Sequence, residues 1–322
     1  MSAVLTIAFP VFAIILAGLF AGRAKIAEAA DAQALNRFVF FFAMPAALFS
    51  LTSRADPPAG DDIKMALCYL TAALAVMAAA YALGRRFFAL SEQEAGAQAL
   101  TSVLGNAVFL GLPIVLSLDG WIEHYVVLML MEGVFVIAIG AALIGPREAG
   151  MQDGAGRTSI LQKLGAPLAR SLKNPLVAAM LAGIGVALLR EATGLALPVP
   201  IAAFFELLGR AGGPAALFSM GLFLGARKFP AMGEIAGKVG VIVLFKMVAL
   251  PVLTLTGMAL VGVSDPALIG PAALFVLVPS GIGCYVMASQ HHVYVAETVS
   301  AIAVTTLISI LTVSAVLAIF AR

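Results

Sequence analysis

The chain has 322 residues, of which 62% are apolar and 11% charged, and its net charge is +2. Soluble domains carry roughly 45–50% apolar and about 25% charged residues, so a soluble chain of this length could not hide so much apolar surface in a core. The composition therefore predicts an integral membrane protein, and the small net charge argues against a nucleic-acid partner.

Ten apolar stretches are long enough to cross a membrane as helices, which takes about 20 residues each. Most connections are short, but glycines and charged residues at 146–173 predict a cytoplasmic linker loop. We therefore expect an all-α fold with a first five-helix repeat at 1–145 and a second at 174–322. The predicted spans are 3–22, 33–52, 64–84, 95–117, 121–144, 174–190, 198–225, 237–262, 266–289 and 294–320.

The distribution of lysine and arginine predicts the orientation of the chain. Twelve of these residues lie in the odd-numbered loops, and four lie in the even-numbered loops and at the C-terminus. Because cytoplasmic loops carry the excess of basic residues, we expect both termini on the non-cytoplasmic side of the cell inner (plasma) membrane. No Lys or Arg precedes the first apolar stretch, so it is not predicted to be a secretory signal.

The two halves share short sequences in corresponding spans. Leu16-Ala17-Gly18 recurs as Leu181-Ala182-Gly183, and Pro45-Ala46-Ala47-Leu48-Phe49 recurs as Pro214-Ala215-Ala216-Leu217-Phe218. Five spans is an odd number, so the second half must enter the membrane upside down. This is the inverted-repeat plan of many secondary transporters.

Proline and glycine interrupt spans four and nine, the fourth span of each half. Backbone opened within hydrocarbon must be satisfied by protein or by a water-lined cavity, and paired breaks at the membrane midplane point to a substrate site. Freed N–H groups at half-helix N-termini suit an anion, whereas the alternative is a pair of kinks that only shape packing. The candidate substrate-binding residues are Asn106, Phe109, Pro113, Pro279, Ser280, Gly281 and Tyr285.

Three charged residues within the spans are candidates for charge balance or coupling. Glu132 and Arg210 are predicted near the midplane, where a charge is costly and usually has a partner. Arg210 also follows Glu206 by four residues, so an ordinary pair on one helix face remains an alternative. Lys246 is close enough to a span end to snorkel to the interface.

Motifs for catalysis or cofactors are not apparent in the sequence. Cys68 and Cys284 give no disulfide framework, and the adjacent His291 and His292 make a poor metal pair. No nucleotide-binding loop or nucleophile elbow occurs. We therefore expect no enzyme activity, no cofactor and no metal.

Several segments in order resemble the auxin efflux carrier family, whose bacterial members include carriers of malonate and other carboxylates. They include Leu35–Pro45, Asn106–Pro113, Asn174-Pro175-Leu176 and Pro279–Gln290. The resemblance covers nearly the whole chain and implies a scaffold part, a transport part with two crossed broken helices, and a homodimer. It makes Pro113 and Pro279 the crossover prolines and places Asn106 near a bound carboxylate. The chain departs from the family after Pro279, where many members have an asparagine.

The leading functional hypothesis is a secondary transporter of small organic anions, driven by a proton or sodium gradient or by the substrate's own gradient. A sodium-coupled symporter of the bile-acid type shares the crossed-helix architecture, but it would need carboxylates near the breaks. A membrane-embedded sensor or enzyme is the third hypothesis. It would require paired catalytic or metal-binding side chains within the spans, and none is evident.

Overall fold

A computed structural model describes residues 4–55, 60–145, 169, 171–195, 197–227 and 232–321. The predicted linker at 146–173 lies almost entirely outside these residues. The described part is all-α and contains no β-strand, apart from one isolated bridge between two residues. The prediction of an all-α fold is therefore confirmed.

Eight helices are long and apolar enough to cross a membrane. They match eight of the ten predicted spans, with ends that differ by a few residues. They are α1 (Thr6–Arg23), α2 (Ala29–Thr52), α3 (Gly60–Phe87), α6 (Ile122–Ile144), α7 (Pro175–Thr193), α8 (Val199–Gly225), α9 (Gly233–Leu260) and α12 (Val295–Phe320).

Each of the predicted spans four and nine is divided into two helices. In span four, α4 (Glu92–Thr101) is followed by a break and by α5, which is helical at 107–115. In span nine, α10 (Pro266–Leu277) is followed by a break and by α11 (Ile282–Gln290). The predicted interruptions are thus present, and neither region forms one continuous helix.

Polar residues fix where several helices begin. Ser91 and Glu94 form a reciprocal capping box at the start of α4, in which each side chain accepts a hydrogen bond from the other's backbone. Asn174 caps α7 through the backbone N–H of Leu176, and Asp265 caps α10 in the same way. Proline follows both caps, where its missing N–H has no consequence.

Glycines bring α1 and α8 into close contact. A Cβ atom on Gly18 would collide with the carbonyl oxygen of Phe218, and one on Gly221 would collide with the carbonyl oxygen of Ile15. Gly22 and Gly225, one turn further along each helix, are equally restricted. Small residues four apart are typical of membrane helices whose backbones approach closely.

The helices pack as two groups. One group contains α1, α2, α7 and α8, and the other contains α3 to α6 and α9 to α12. Large apolar side chains such as Phe9, Phe20 and Leu311 are exposed, whereas Gln98, Glu132 and Lys246 are buried. Large apolar side chains on the outside and the few buried charges inside the bundle are the arrangement expected in lipid.

Candidate functional site

The two breaks meet and are joined by backbone hydrogen bonds. Gly105 and Ser280 form an antiparallel bridge. The N–H of Asn106 donates to the carbonyl oxygen of Pro279 at 2.7 Å, and the N–H of Gly281 donates to that of Leu104 at 3.0 Å. A Cβ on Gly281 would lie only 2.6 Å from the carbonyl oxygen of Gly105, so glycine is needed for this approach. We call this junction the crossing.

Side chains also bind backbone groups at the crossing. The N–H of Gly105 donates to Glu132 Oε2 at 3.4 Å, and the N–H of Ser280 donates to Thr305 Oγ1 at 3.1 Å. The hydroxyl of Ser280 donates to the carbonyl oxygen of Thr101 at 2.8 Å. An unsatisfied backbone group in hydrocarbon costs several kcal/mol, and these contacts avoid that cost for the groups they bind.

Glu132 and Lys246 provide two opposite charges beside Gly105. Glu132 is 5% exposed and accepts a hydrogen bond of 2.6 Å from the hydroxyl of Tyr69. Lys246 is fully buried, and its Nζ donates to the carbonyl oxygen of Val276 near the C-terminal end of α10 at 2.8 Å. The two charges interact electrostatically. The expectation that Lys246 snorkels to the interface is wrong, because its ammonium has partners in the interior.

Two helices begin at the crossing. Asn106 immediately precedes α5, and Gly281 immediately precedes α11. The first N–H groups of a helix lack intrahelical partners, and the N-terminus carries partial positive charge. The junction therefore places two anion-attracting helix ends beside the amide of Asn106. Since Glu132 and Lys246 compensate each other, these ends favour an additional negative charge.

Asn106 is 2% exposed and connects the two groups of helices. Its Nδ2 donates to the thioether sulfur of Met220 on α8 at 3.0 Å. A thioether is a weak acceptor, whereas a carboxylate accepts hydrogen bonds strongly. A carboxylate that reached Asn106 would therefore compete with Met220 for the side-chain amide.

The other residues predicted for the site lie at different distances from the crossing. Phe109 is buried on α5, and Pro113 lies further along this helix and packs against Gly213 of α8. Tyr285 lies on α11 and packs edge to face against Phe223 of α8. Of the two prolines expected at the crossover, Pro279 forms part of the junction and Pro113 does not.

Arg210 is not brought to the crossing. Its side chain is 75% exposed and forms an ion pair with Glu206, which also pairs with Arg54 at 3.1 Å. The i,i+4 pair that the sequence left open is therefore present. The expectation that Arg210 is a midplane charge inside the protein is not met.

Four contacts at the crossing were not anticipated from the sequence. They involve Tyr69, Tyr125, Met220 and Thr305, which lie on four different helices. The hydroxyl of Tyr125 donates to the carbonyl oxygen of Ala107 at 3.2 Å. A hydroxyl inside an apolar span was the available signal for the tyrosines and the threonine, since such a group needs a partner. Met220 carries no comparable signal.

A separate cleft lies between α2, α6 and α7. It is lined mainly by apolar side chains, including Leu51, Val126 and Ile184, with Thr52 and Glu123 as its polar members. It does not include Asn106 or the crossing. No group of three or more potential metal ligands occurs among the described residues. The crossing is thus the junction where polar side chains, charges and helix ends converge.

Comparisons with known proteins agree with a transport role. The profile of a family described as "Membrane transport protein" matches residues 3–317. A protein of Rhizobium meliloti named "Putative malonate transporter" is 26% identical over 98% of this chain and 96% of its own length. The uncharacterized transporter YfdV of Escherichia coli is 26% identical over 78% of this chain and 77% of its own. The uncharacterized transporter MJ1031 of Methanocaldococcus jannaschii is 31% identical over 34% of this chain and 36% of its own.

Proposed function

Because the chain belongs to the membrane transport protein family, we propose that it is a secondary transporter of small organic anions such as malonate-like carboxylates. It would work by alternating access around the crossing. The observation that carries this proposal is the meeting of two helix N-termini and the Asn106 amide at one buried junction. Half-helix N-termini hold substrate carboxylates in other carriers with broken helices.

The charges at the crossing favour an anion over a cation. Lys246 and Glu132 balance each other, so an anion at Asn106 gains the partial positive charge of α5 and α11 with little opposition. An organic cation there would face both helix ends and the ammonium of Lys246. This proposal replaces the expected contribution of Arg210 with groups that lie at the junction.

The proposed mechanism depends on two inverted halves, 1–145 and 174–322, each contributing five spans. Paired contacts support this symmetry. Gly18 packs on the carbonyl of Phe218, and Gly183 packs on the carbonyl of Phe49, which is the same contact with the halves exchanged. The two backbone hydrogen bonds of the crossing, from Asn106 to Pro279 and from Gly281 to Leu104, also correspond to each other when the halves are exchanged. Such reciprocal contacts are expected about a two-fold axis.

Alternating access would move one group of helices against the other. The Asn106–Met220 contact spans their boundary, so movement of the crossing along α8 would break it. The substrate carboxylate would then take the place of the thioether. We place the protein in the plasma membrane as a homodimer, with odd loops in the cytoplasm and both termini outside.

A sodium-coupled symporter is the alternative with a specific observation in its favour. The sequence shows no carboxylate next to the breaks, but the fold brings Glu132 to Gly105. Carboxylate oxygen is a suitable ligand for a hard cation. Lys246 opposes this alternative because its ammonium is already beside the same carboxylate, and a second cation would be repelled.

Uptake by reconstituted protein tests these proposals. Purified protein in proteoliposomes would be given radiolabelled malonate with no gradient, with a proton gradient and with a sodium gradient. We expect saturable malonate uptake that protein-free liposomes lack, and the gradient that accelerates it identifies the driving ion. Uptake of organic cations or neutral sugars without any uptake of carboxylates would refute the anion proposal.

A further inference from the structure

Arg227 lies two residues beyond the C-terminal end of α8, between two aromatic rings. Its guanidinium carbon is 4.3 Å from the ring centroid of Phe223 and 4.0 Å from that of Tyr285. The two rings pack edge to face with their centroids 5.0 Å apart. Ring faces attract a guanidinium and leave its N–H edges available. The stack therefore fixes the cation, and the Tyr285 side chain that hydrogen-bonds to its N–H donors is not a counterion.

Those donors lack a counterion within the described part of the chain. Arg54 and Arg210 share Glu206, and Lys238 pairs with Glu297, but Arg227 forms no ion pair with a described carboxylate. Its Nε is buried and has no hydrogen-bond partner among the described residues. A buried donor without an acceptor is costly. This geometry suits an anion that comes from outside the chain.

Neighbouring residues on α8 and α11 link the region of Arg227 to the crossing. Met220, which contacts Asn106, is followed on α8 by Phe223, about 4.5 Å further along the helix axis at 1.5 Å per residue. Phe223 contacts both Arg227 and Tyr285, and Tyr285 lies on α11, which begins at the crossing. Asn106 and Arg227 are thus connected through Met220 and Phe223, which lie one turn apart on α8.

We propose that Arg227 binds the second carboxylate of a short dicarboxylate whose first carboxylate binds at Asn106. Arg227 is then a specificity-determining residue that favours dicarboxylates over monocarboxylates. Its planar fork can bind a carboxylate through two parallel hydrogen bonds. The inference rests on the proposed function, because it assumes that a carboxylate binds at the crossing.

The test compares two ligands that differ by one charge. Malonate has two carboxylates, and monomethyl malonate keeps the carbon chain with only one. Affinities of both would be measured by thermal shift and by competition with malonate uptake, for the wild type, Arg227→Gln, Arg227→Lys and Arg86→Gln. Arg86 is a matched control because it also lies over a phenylalanine, Phe87, but at an exposed helix end away from the crossing.

We expect Arg227→Gln to weaken malonate binding about 10- to 100-fold, the factor for losing a hydrogen-bond partner of a charged group. The affinity for monomethyl malonate should change less than about twofold, which is the size of effect expected when an exposed charge without a direct partner is removed. Arg227→Lys should fall between wild type and Arg227→Gln, and Arg86→Gln should match the wild type. The decisive quantity is the ratio of the malonate affinity to the monomethyl malonate affinity in each variant.

An unchanged ratio in both Arg227 variants would overturn the inference, because equal losses would mean general attraction of anions or a structural role. If Arg227→Gln does not fold, the ratio measured for Arg227→Lys decides in the same way. Failure of the wild type to bind either ligand would refute the proposed function instead. The two failures are therefore distinguishable.

Discussion

Glu132 and Lys246 both lie close to Gly105, so two buried opposite charges from helices far apart in the sequence meet at the crossing. Glu132 Oε2 accepts from the backbone N–H of Gly105 at 3.4 Å. Lys246 Nζ would lie 3.6 Å from a Cβ placed on the same glycine. Each charge also holds a group outside the pair, the hydroxyl of Tyr69 or the carbonyl of Val276.

Removing one of these charges should destabilise the protein more than removing both. Glu132→Gln or Lys246→Met leaves the other ion buried without its partner, which costs about 3–5 kcal/mol. The double variant removes both charges, so we expect a loss smaller than the sum of the two single losses. Apparent melting temperatures in detergent would show this coupling, and strictly additive losses would contradict it.

Asn106→Ala should weaken carboxylate transport while leaving the protein folded. The substitution removes a donor to a charged ligand, worth roughly 1.5–3 kcal/mol, or about 10- to 100-fold in affinity. Malonate uptake into proteoliposomes measures the effect. Thr254→Val is a suitable control, since the Thr254 hydroxyl is buried without a hydrogen-bond partner in the described residues. Unchanged kinetics in Asn106→Ala would remove this residue from the site.

Met220→Leu should increase the apparent affinity for substrate. Leucine keeps a similar apolar volume but cannot accept the hydrogen bond from Asn106, so the substrate no longer competes with the thioether. The KM for malonate should fall about 2- to 10-fold, which corresponds to roughly 0.5–1.5 kcal/mol. Met258→Leu, at another buried methionine, provides the comparison. A KM that rises, or that falls equally in both variants, would argue against displacement of Met220.

Substitution by alanine should affect the melting temperature differently at two glycines. A Cβ on Gly18 would collide with the carbonyl oxygen of Phe218, whereas a Cβ on Gly185 has open space around it. Gly18→Ala should therefore lower the melting temperature. Gly185→Ala should leave it unchanged or raise it, because alanine favours the helix by up to about 1 kcal/mol. Equal shifts would show that the contact between α1 and α8 is not restrictive.

The orientation of the chain can be tested at the C-terminus. Of the sixteen basic residues assigned to the loops and the C-terminus, twelve belong to odd-numbered loops, which predicts that the C-terminus is outside the cytoplasm. A periplasm-active reporter fused after Arg322 should be active in a bacterial host. If only a cytoplasm-active reporter works at this site, the true topology is the inverse of the predicted one.

The sequence predicted the helical fold and the breaks because apolar length, proline and glycine act locally. Asn106, Ser280 and Gly281 were identified for this reason, and all three lie at the crossing. Contacts between residues far apart in the sequence could not be predicted from it. Glu132 and Lys246 were noted separately, but nothing local indicated that both would reach Gly105. The prediction that Arg210 lies inside the protein was wrong because counting residues along a span gives the depth of a residue in the membrane. It does not give the face of the helix on which the residue lies.

The two backbone segments of the crossing are held by different kinds of side chain. In the first half a carboxylate, Glu132, holds the N–H of Gly105, and in the second half a neutral hydroxyl, Thr305, holds the N–H of Ser280. In the proposed mechanism, identical halves would make the inward-open and outward-open states equivalent by a two-fold axis and equal in energy. Glu132 and Thr305 differ in charge, so we expect an empty carrier that works by the proposed mechanism to favour one of these two states.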